Sequence, residues 1–183
     1  VDEMNATIAG FLGVPARNGR DSWQFSIFYS PAGVLDFPIP GVAYNWHPSE
    51  KLTVNVGVPF SVNWNPTEDW NLTASYMPLT NVNLRATRRL SERWKLYAAY
   101  ENAQEAYFLA DRGEVADRFF AFEQRLVLGT AWKFHEHAGL DLATGYAFDR
   151  HYGEGRNQSD RLHDRVDVAP TAFLSLTCRI AFR

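Results

Sequence analysis

The sequence predicts an all-β protein, a closed antiparallel up-and-down transmembrane β-barrel of about 10–12 strands. Three observations predict it. Residues 166–182 alternate between apolar and mostly polar side chains for seventeen positions. Five tryptophans stand beside short polar turns. In the C-terminal half, short turns alternate with long charged loops.

Length and composition bound the problem. At 183 residues the chain suits one domain, residues 1–183, with a full complement of packed elements. The net charge is −3 and no run of Lys and Arg points to a nucleic-acid partner. No apolar stretch approaches the ~18 residues of a membrane helix, which excludes a helical membrane protein. A membrane barrel stays open, because its strands are half polar and its mean hydropathy is ordinary. The single cysteine, Cys178, allows no internal disulfide and reads as a small apolar residue. The chain opens at Val1 without a signal segment, so a signal has been removed or the chain is an excerpt of a longer one.

Strand-like runs fill most of the length, and helical periodicity is absent. The first lie near 5–13 and 22–30. Those near 40–47 and 51–58 flank a turn, His47-Pro48-Ser49-Glu50. Runs near 60–65 and 70–77 flank Asn65-Pro66-Thr67-Glu68-Asp69, and runs near 80–90 and 95–108 flank Ser91-Glu92-Arg93. Proline, Asn, Ser and Asp set such turns through a fixed φ or a local side-chain hydrogen bond. Pro59 and Pro78 mark two turns at the opposite end.

Residues 118–134 and 139–152 flank His135-Glu136-His137. In the former, Phe120, Phe122, Leu126, Leu128, Trp132 and Phe134 share one face. In the latter, Leu140, Leu142, Tyr146 and Phe148 oppose Asp141, Ala143, Gly145, Ala147, Asp149 and His151. The last run, 166–182, has an oily face of Leu174, Leu176, Cys178, Ile180 and Phe182. The long connections are 109–118 and 153–165. Residues 45–59, 63–78 and, more loosely, 89–100 repeat one strand–turn–strand pattern, which suits a meander closed on itself. The runs number eleven, whereas bacterial barrels of one chain have an even number. Ten or twelve is expected, either by redividing one run or through an N-terminal strand preceding Val1.

By strand parity Trp46, Trp64, Trp70, Trp94 and Trp132 share the apolar face at the short-turn end, with Phe134 and Phe182; Trp23 is placed elsewhere. Indole has a large apolar body and one N–H, so it favours the boundary between hydrocarbon and water. These seven residues are the expected aromatic girdle. The opposite face mixes charges with Gly and Ala, which suits a narrow, crowded interior.

The C-terminal half resembles bacterial outer-membrane β-barrels, through a terminal strand with apolar residues at alternate positions and a closing aromatic, Phe182. Arg183 departs from that pattern, in which the aromatic is last. Residues 37–130, with GVPFSVNWNP, YENAQEAYFLADRG and FFAFEQRLVLG, resemble an uncharacterised family of outer-membrane barrels found in planctomycete-type bacteria. The resemblance implies a location in the bacterial outer membrane. It implies the lipid bilayer, lipopolysaccharide-type lipids and the barrel-assembly machinery as partners. It supplies no catalytic motif and no cofactor.

Parity places Arg85, Arg89, Glu101, Glu105, Glu123, Arg125, Asp141, Asp149, Asp167 and Arg179 on the non-lipid face. Neighbouring antiparallel strands set acids across from bases, so a guanidinium–carboxylate network is expected. It would fill a small barrel or line a narrow channel. His151 and Ser175 also fall on that face, which is the wrong side for a lipid hydrolase acting from the bilayer. His135-Glu136-His137 has no third ligand for a metal, and no phosphate-cradling glycine motif is present. The expected function is a non-enzymatic membrane-spanning scaffold or narrow porin-like channel with a charged lumen. The alternative is a soluble, lipocalin-like barrel that binds an apolar ligand.

Overall fold

The computed structural model describes residues 7–17, 19–32, 37–77, 81–109, 112–114, 116–156 and 165–181. Pro78, Phe182, Arg183 and most of the 153–165 loop lie outside them. The described chain forms one antiparallel sheet of twelve strands in up-and-down order. These are β1 (Ile8–Pro15), β2 (Ser22–Tyr29), β3 (Ile39–Ser49), β4 (Leu52–Gly57), β5 (Phe60–Trp64) and β6 (Trp70–Met77). They continue as β7 (Asn81–Arg89), β8 (Trp94–Tyr107), β9 (Arg118–His135), β10 (Ala138–Gly155), β11 (Val166–Val168) and β12 (Thr171–Ile180).

The long final run is divided at Ala169-Pro170. Proline has no N–H to give to a ladder, so pairing lapses there. Both pieces still pair with β10, β11 at residues 150–152 and β12 at residues 138–147. Twelve strands therefore occupy eleven lanes. The sheet is not closed: β1 and β12 are its two edges. It is nevertheless curved, since side chains from β6 to β12 line one cavity.

Many large apolar side chains are open while several alanines are buried, although Phe120, expected on the oily face, is also buried, as are Tyr97 and Val127. Leu174, Leu176 and Leu128 are 74%, 68% and 62% exposed. Ala43 and Ala147 are 1% and 3% exposed on the other face, with Ala99 and Ala143 also buried. Register carries the exposed face across the sheet: Leu128 stands opposite Ala98 and Thr144, and Leu142 opposite Leu176. In β1 and β2, Phe11 and Phe28 put rings on the polar face as well, across from Ser26 and Ala9.

A bulge in β10 changes which residues face where. Gln124 pairs with Phe148 and Phe122 pairs with His151, so Asp149 and Arg150 together oppose Glu123. Asp149 adopts φ 46°, a left-handed conformation that Asp tolerates better than most residues. One extra residue reverses the alternation beyond it. His151 consequently stands opposite Phe122 and stacks on it at 4.6 Å, rather than facing the acids. Asp167, opposite His151, moves with it.

Candidate functional site

The charged face is built around two aromatic–glycine pairs. Tyr97 of β8 stands directly opposite Gly129 of β9, and Phe173 of β12 directly opposite Gly145 of β10. Each ring lies across its glycine. A Cβ on Gly129 would come within 2.2 Å of Tyr97 Cζ, and one on Gly145 within 2.6 Å of Phe173 Cζ. Any side chain at either position would displace the ring. With Gly129 out of the way, the Tyr97 hydroxyl reaches past β9 and donates to Asp141 Oδ1 of β10 at 2.6 Å. The Arg85 guanidinium covers the other side of the ring, 3.6 Å from its centroid.

Further toward the long-loop end, Glu123 is the hub. It pairs with Arg125 on its own strand and with Arg150 Nε at 3.2 Å. Arg150 also donates to the Ala169 carbonyl at 3.3 Å, beside the break in the last lane. Glu101 lies directly opposite Arg125, as antiparallel pairing of β8 and β9 requires. Arg85, Glu101, Glu123, Arg125, Asp141 and Arg150 line one cavity of about 370 Å³, with three carboxylates against three guanidiniums. The charges are equal in number, but direct ion pairing is confined to Glu123 with Arg125 and Arg150, while Arg85 lies over the Tyr97 ring and Asp141 accepts the Tyr97 hydroxyl.

Arg89 and Arg179 lie in a second cavity of about 500 Å³ toward the short turns, which Arg85 and Asp141 also line. Arg89 Nε is 3.5 Å from Asp69 Oδ1. Glu105 is exposed, opposite Ala121, and lines neither cavity. Asp149 does not join the network. Held in the bulge, it accepts from Gln124 Nε2 at 2.7 Å, on the side of Phe148. Arg150 occupies the place expected of Asp149, with the opposite charge. Strand parity alone could have found Lys95 and Tyr97, which share a face with Glu101. Nothing in the local pattern announces Arg150, because the bulge that turns it inward is set by pairing with β9.

The girdle residues also have definite places. Trp46, Trp64, Trp70, Trp94, Trp132 and Phe134 are all substantially exposed on the apolar face at the short-turn end. Trp94 and Trp132 are direct cross-strand partners, stacked at 5.4 Å, and Phe134 continues the row 5.5 Å from Trp132. Trp23, expected elsewhere, stands at this end as well. The β1–β2 turn is at this same end: Asp21 accepts from the backbone N–H of His47 at 2.8 Å, and Arg20 donates to the His47 carbonyl. Trp23, two residues past Asp21, faces outward edge-on to Tyr44 at 5.0 Å. All six tryptophans thus stand at one end and on one face.

His151 and Ser175 do not meet. Ser175 is opposite Ala143 on the polar face, while His151 stacks on Phe122 beyond the bulge. In the 136–137 turn the His135 and His137 rings are 5.7 Å apart, with His137 Nε2 3.3 Å from Glu136 Oε1. Among the described residues no group of three or more His, Cys, Asp or Glu side chains could hold a metal ion. No protein-family model matches the chain, and no curated protein or solved structure matches it. Function is therefore read from the two faces themselves.

Proposed function

We propose that this chain spans a bacterial outer membrane as a non-enzymatic β-barrel, its oily face toward lipid and its ionic face around a narrow, charged lumen. The observation that carries the reading is the inversion of size and exposure: Leu128, Leu174 and Leu176 stand open while Ala43 and Ala147 are buried. Burying a leucine side chain is worth about 1.5–3 kcal/mol, so a row of open leucines is costly in water and favourable in hydrocarbon. The six outward tryptophans at one end supply the interfacial row that such an orientation needs. The ionic side chains that line the two cavities on the opposite face then meet water and one another. A soluble barrel around an apolar ligand needs the opposite arrangement, with large apolar groups inward.

Closure follows from lane parity. Eleven alternating lanes leave β1 and β12 running parallel to each other. In a bilayer their edge N–H and C=O groups need partners. They pair either directly in parallel or through one more strand, antiparallel to both. The partners that accompany this reading are the bilayer, lipopolysaccharide-type lipids and the barrel-assembly machinery.

The test is migration on a detergent gel with and without heating. A folded membrane barrel runs differently from its heat-unfolded form, and fractionates with membranes. A protein that stays monomeric and folded in detergent-free buffer overturns the proposal. Conductance across a planar bilayer then separates channel from scaffold. An open pore whose conductance and ion preference ignore neutralisation of Arg85 and Arg89 is not lined by them.

A further inference from the structure

The charged face is not uniform along its length. The compartment around Glu123 balances three carboxylates with three guanidiniums. The compartment at the short-turn mouth does not. A cavity of about 330 Å³ there is lined by Arg93, Lys95, Lys133 and Arg179 against only Glu92 and Asp141. Asp141 already accepts the Tyr97 hydroxyl at 2.6 Å. Among the described residues the ends of the Lys95, Lys133 and Arg179 side chains have no carboxylate partner. This positive excess is local, since the whole chain carries −3.

Register explains the cavity. Lys95 pairs with Ala131, Ala131 with Asp141, Lys133 with Gly139, and Gly139 with Arg179. Two small residues, Ala131 and Gly139, thus form a low floor between long cationic arms on β8, β9 and β12. Those lanes span about 14 Å at ~4.8 Å per strand. Opposed Lys and Arg side chains can close over an ion held above that floor. The guanidinium offers paired donors to two oxygens of one group, and the ammonium groups add point charge. Lys95 and Arg179 also line the larger cavity behind, so the mouth opens inward.

We propose that this mouth is an anion site that takes a phosphate-bearing ligand, clasped by Lys95 and Arg179 with Lys133 alongside. The inference shares with the proposed function the orientation of this face toward water. It requires no conduction, and the two therefore fail separately. The phosphate group comes from a diffusing solute or from a lipid headgroup at the membrane surface, and both present the same oxygens.

The test is isothermal titration of the detergent-folded full chain with inorganic pyrophosphate at low salt. Saturable binding is expected, weakened at least tenfold by Lys95→Gln combined with Arg179→Gln. Lys95→Gln alone should weaken it at least threefold, which covers the case in which the double variant fails to fold. Lys51→Gln removes the same charge from an exposed turn at the same end and should change affinity less than twofold. Absence of saturable binding overturns the inference, as does equal loss in Lys51→Gln and Lys95→Gln. A short-chain phosphatidic acid, used below its micelle concentration, assigns the source: competition with pyrophosphate indicates a lipid headgroup, and lack of it a solute. Either result upholds the phosphate site. Binding by a protein that shows no conductance upholds the site and removes the channel.

Discussion

Leu128→Arg places the proposed orientation under direct strain. Leu128 is 62% exposed, and its cross-strand neighbours on that face are Ala98 and Thr144. Little packing is lost when it is replaced, so the environment of the new charge dominates the outcome. Its depth follows from the girdle. Leu128 is four residues from Trp132 along β9, about 10 Å below the interface for a strand tilted by ~40°. The apolar band of a barrel is about 25 Å tall, which puts the side chain near the midplane. An Arg there should cost about 2–4 kcal/mol, whereas Phe134→Arg, at the interfacial edge of the girdle, should cost about 0–1 kcal/mol. On a water-facing surface both changes should fall within about 0.5 kcal/mol of zero. The assay is urea unfolding of the chain refolded into phosphatidylcholine vesicles, with the variants compared at constant m. Equal, near-zero effects at 128 and 134 would refute the reasoning, because only a hydrocarbon slab makes the cost depend on depth.

Other consequences are smaller and local. Gly129→Val should lower stability by about 1–3 kcal/mol through overpacking against the Tyr97 ring, with Gly129→Ala milder, read from urea midpoints and the near-ultraviolet signal of the tyrosine. Glu123→Gln leaves Arg125 and Arg150 without their shared carboxylate; crossed with Arg150→Gln, it should show a coupling of about 0.2–1 kcal/mol in a double-mutant cycle, since these groups keep part of their exposure to solvent. Asp149→Gly should be tolerated or slightly stabilising, by up to about 1 kcal/mol, because glycine takes φ 46° without strain, and a large loss would show that the bond from Gln124 matters more. Brominated lipids carrying the halogen near the headgroup should quench the tryptophan fluorescence more than lipids carrying it at the chain ends, and the reverse order would dismiss the girdle.

Much of the architecture was legible because a strand writes its two faces into the sequence with a period of two. The all-β class, the antiparallel meander, the oily face of β9, β10 and β12 and the placement of Trp46, Trp64, Trp70, Trp94 and Trp132 all follow from that alternation and the polar turns. So does the meeting of Arg85, Glu101, Glu123 and Arg125, since parity and strand order suffice to bring them together. What failed to be legible lies where alternation breaks or where separate runs must be aligned. A period of two continued through residue 148 points Asp149 and His151 inward, but pairing with β9 creates a bulge there and Arg150 takes the inward place instead. Trp23 joins the girdle because Asp21 ties the first turn beside His47, a contact between residues 26 apart in sequence. Pro170 announces a lapse in pairing, but that both flanking pieces stay on β10, leaving eleven lanes and two edges, is a property of the sheet. Facing within an unbroken run is local and repeats residue by residue, so it can be read without the fold. Register, bulges and the reach of Tyr97 over Gly129 to Asp141 come from the assembled sheet, because each depends on which residues of distant strands stand opposite one another.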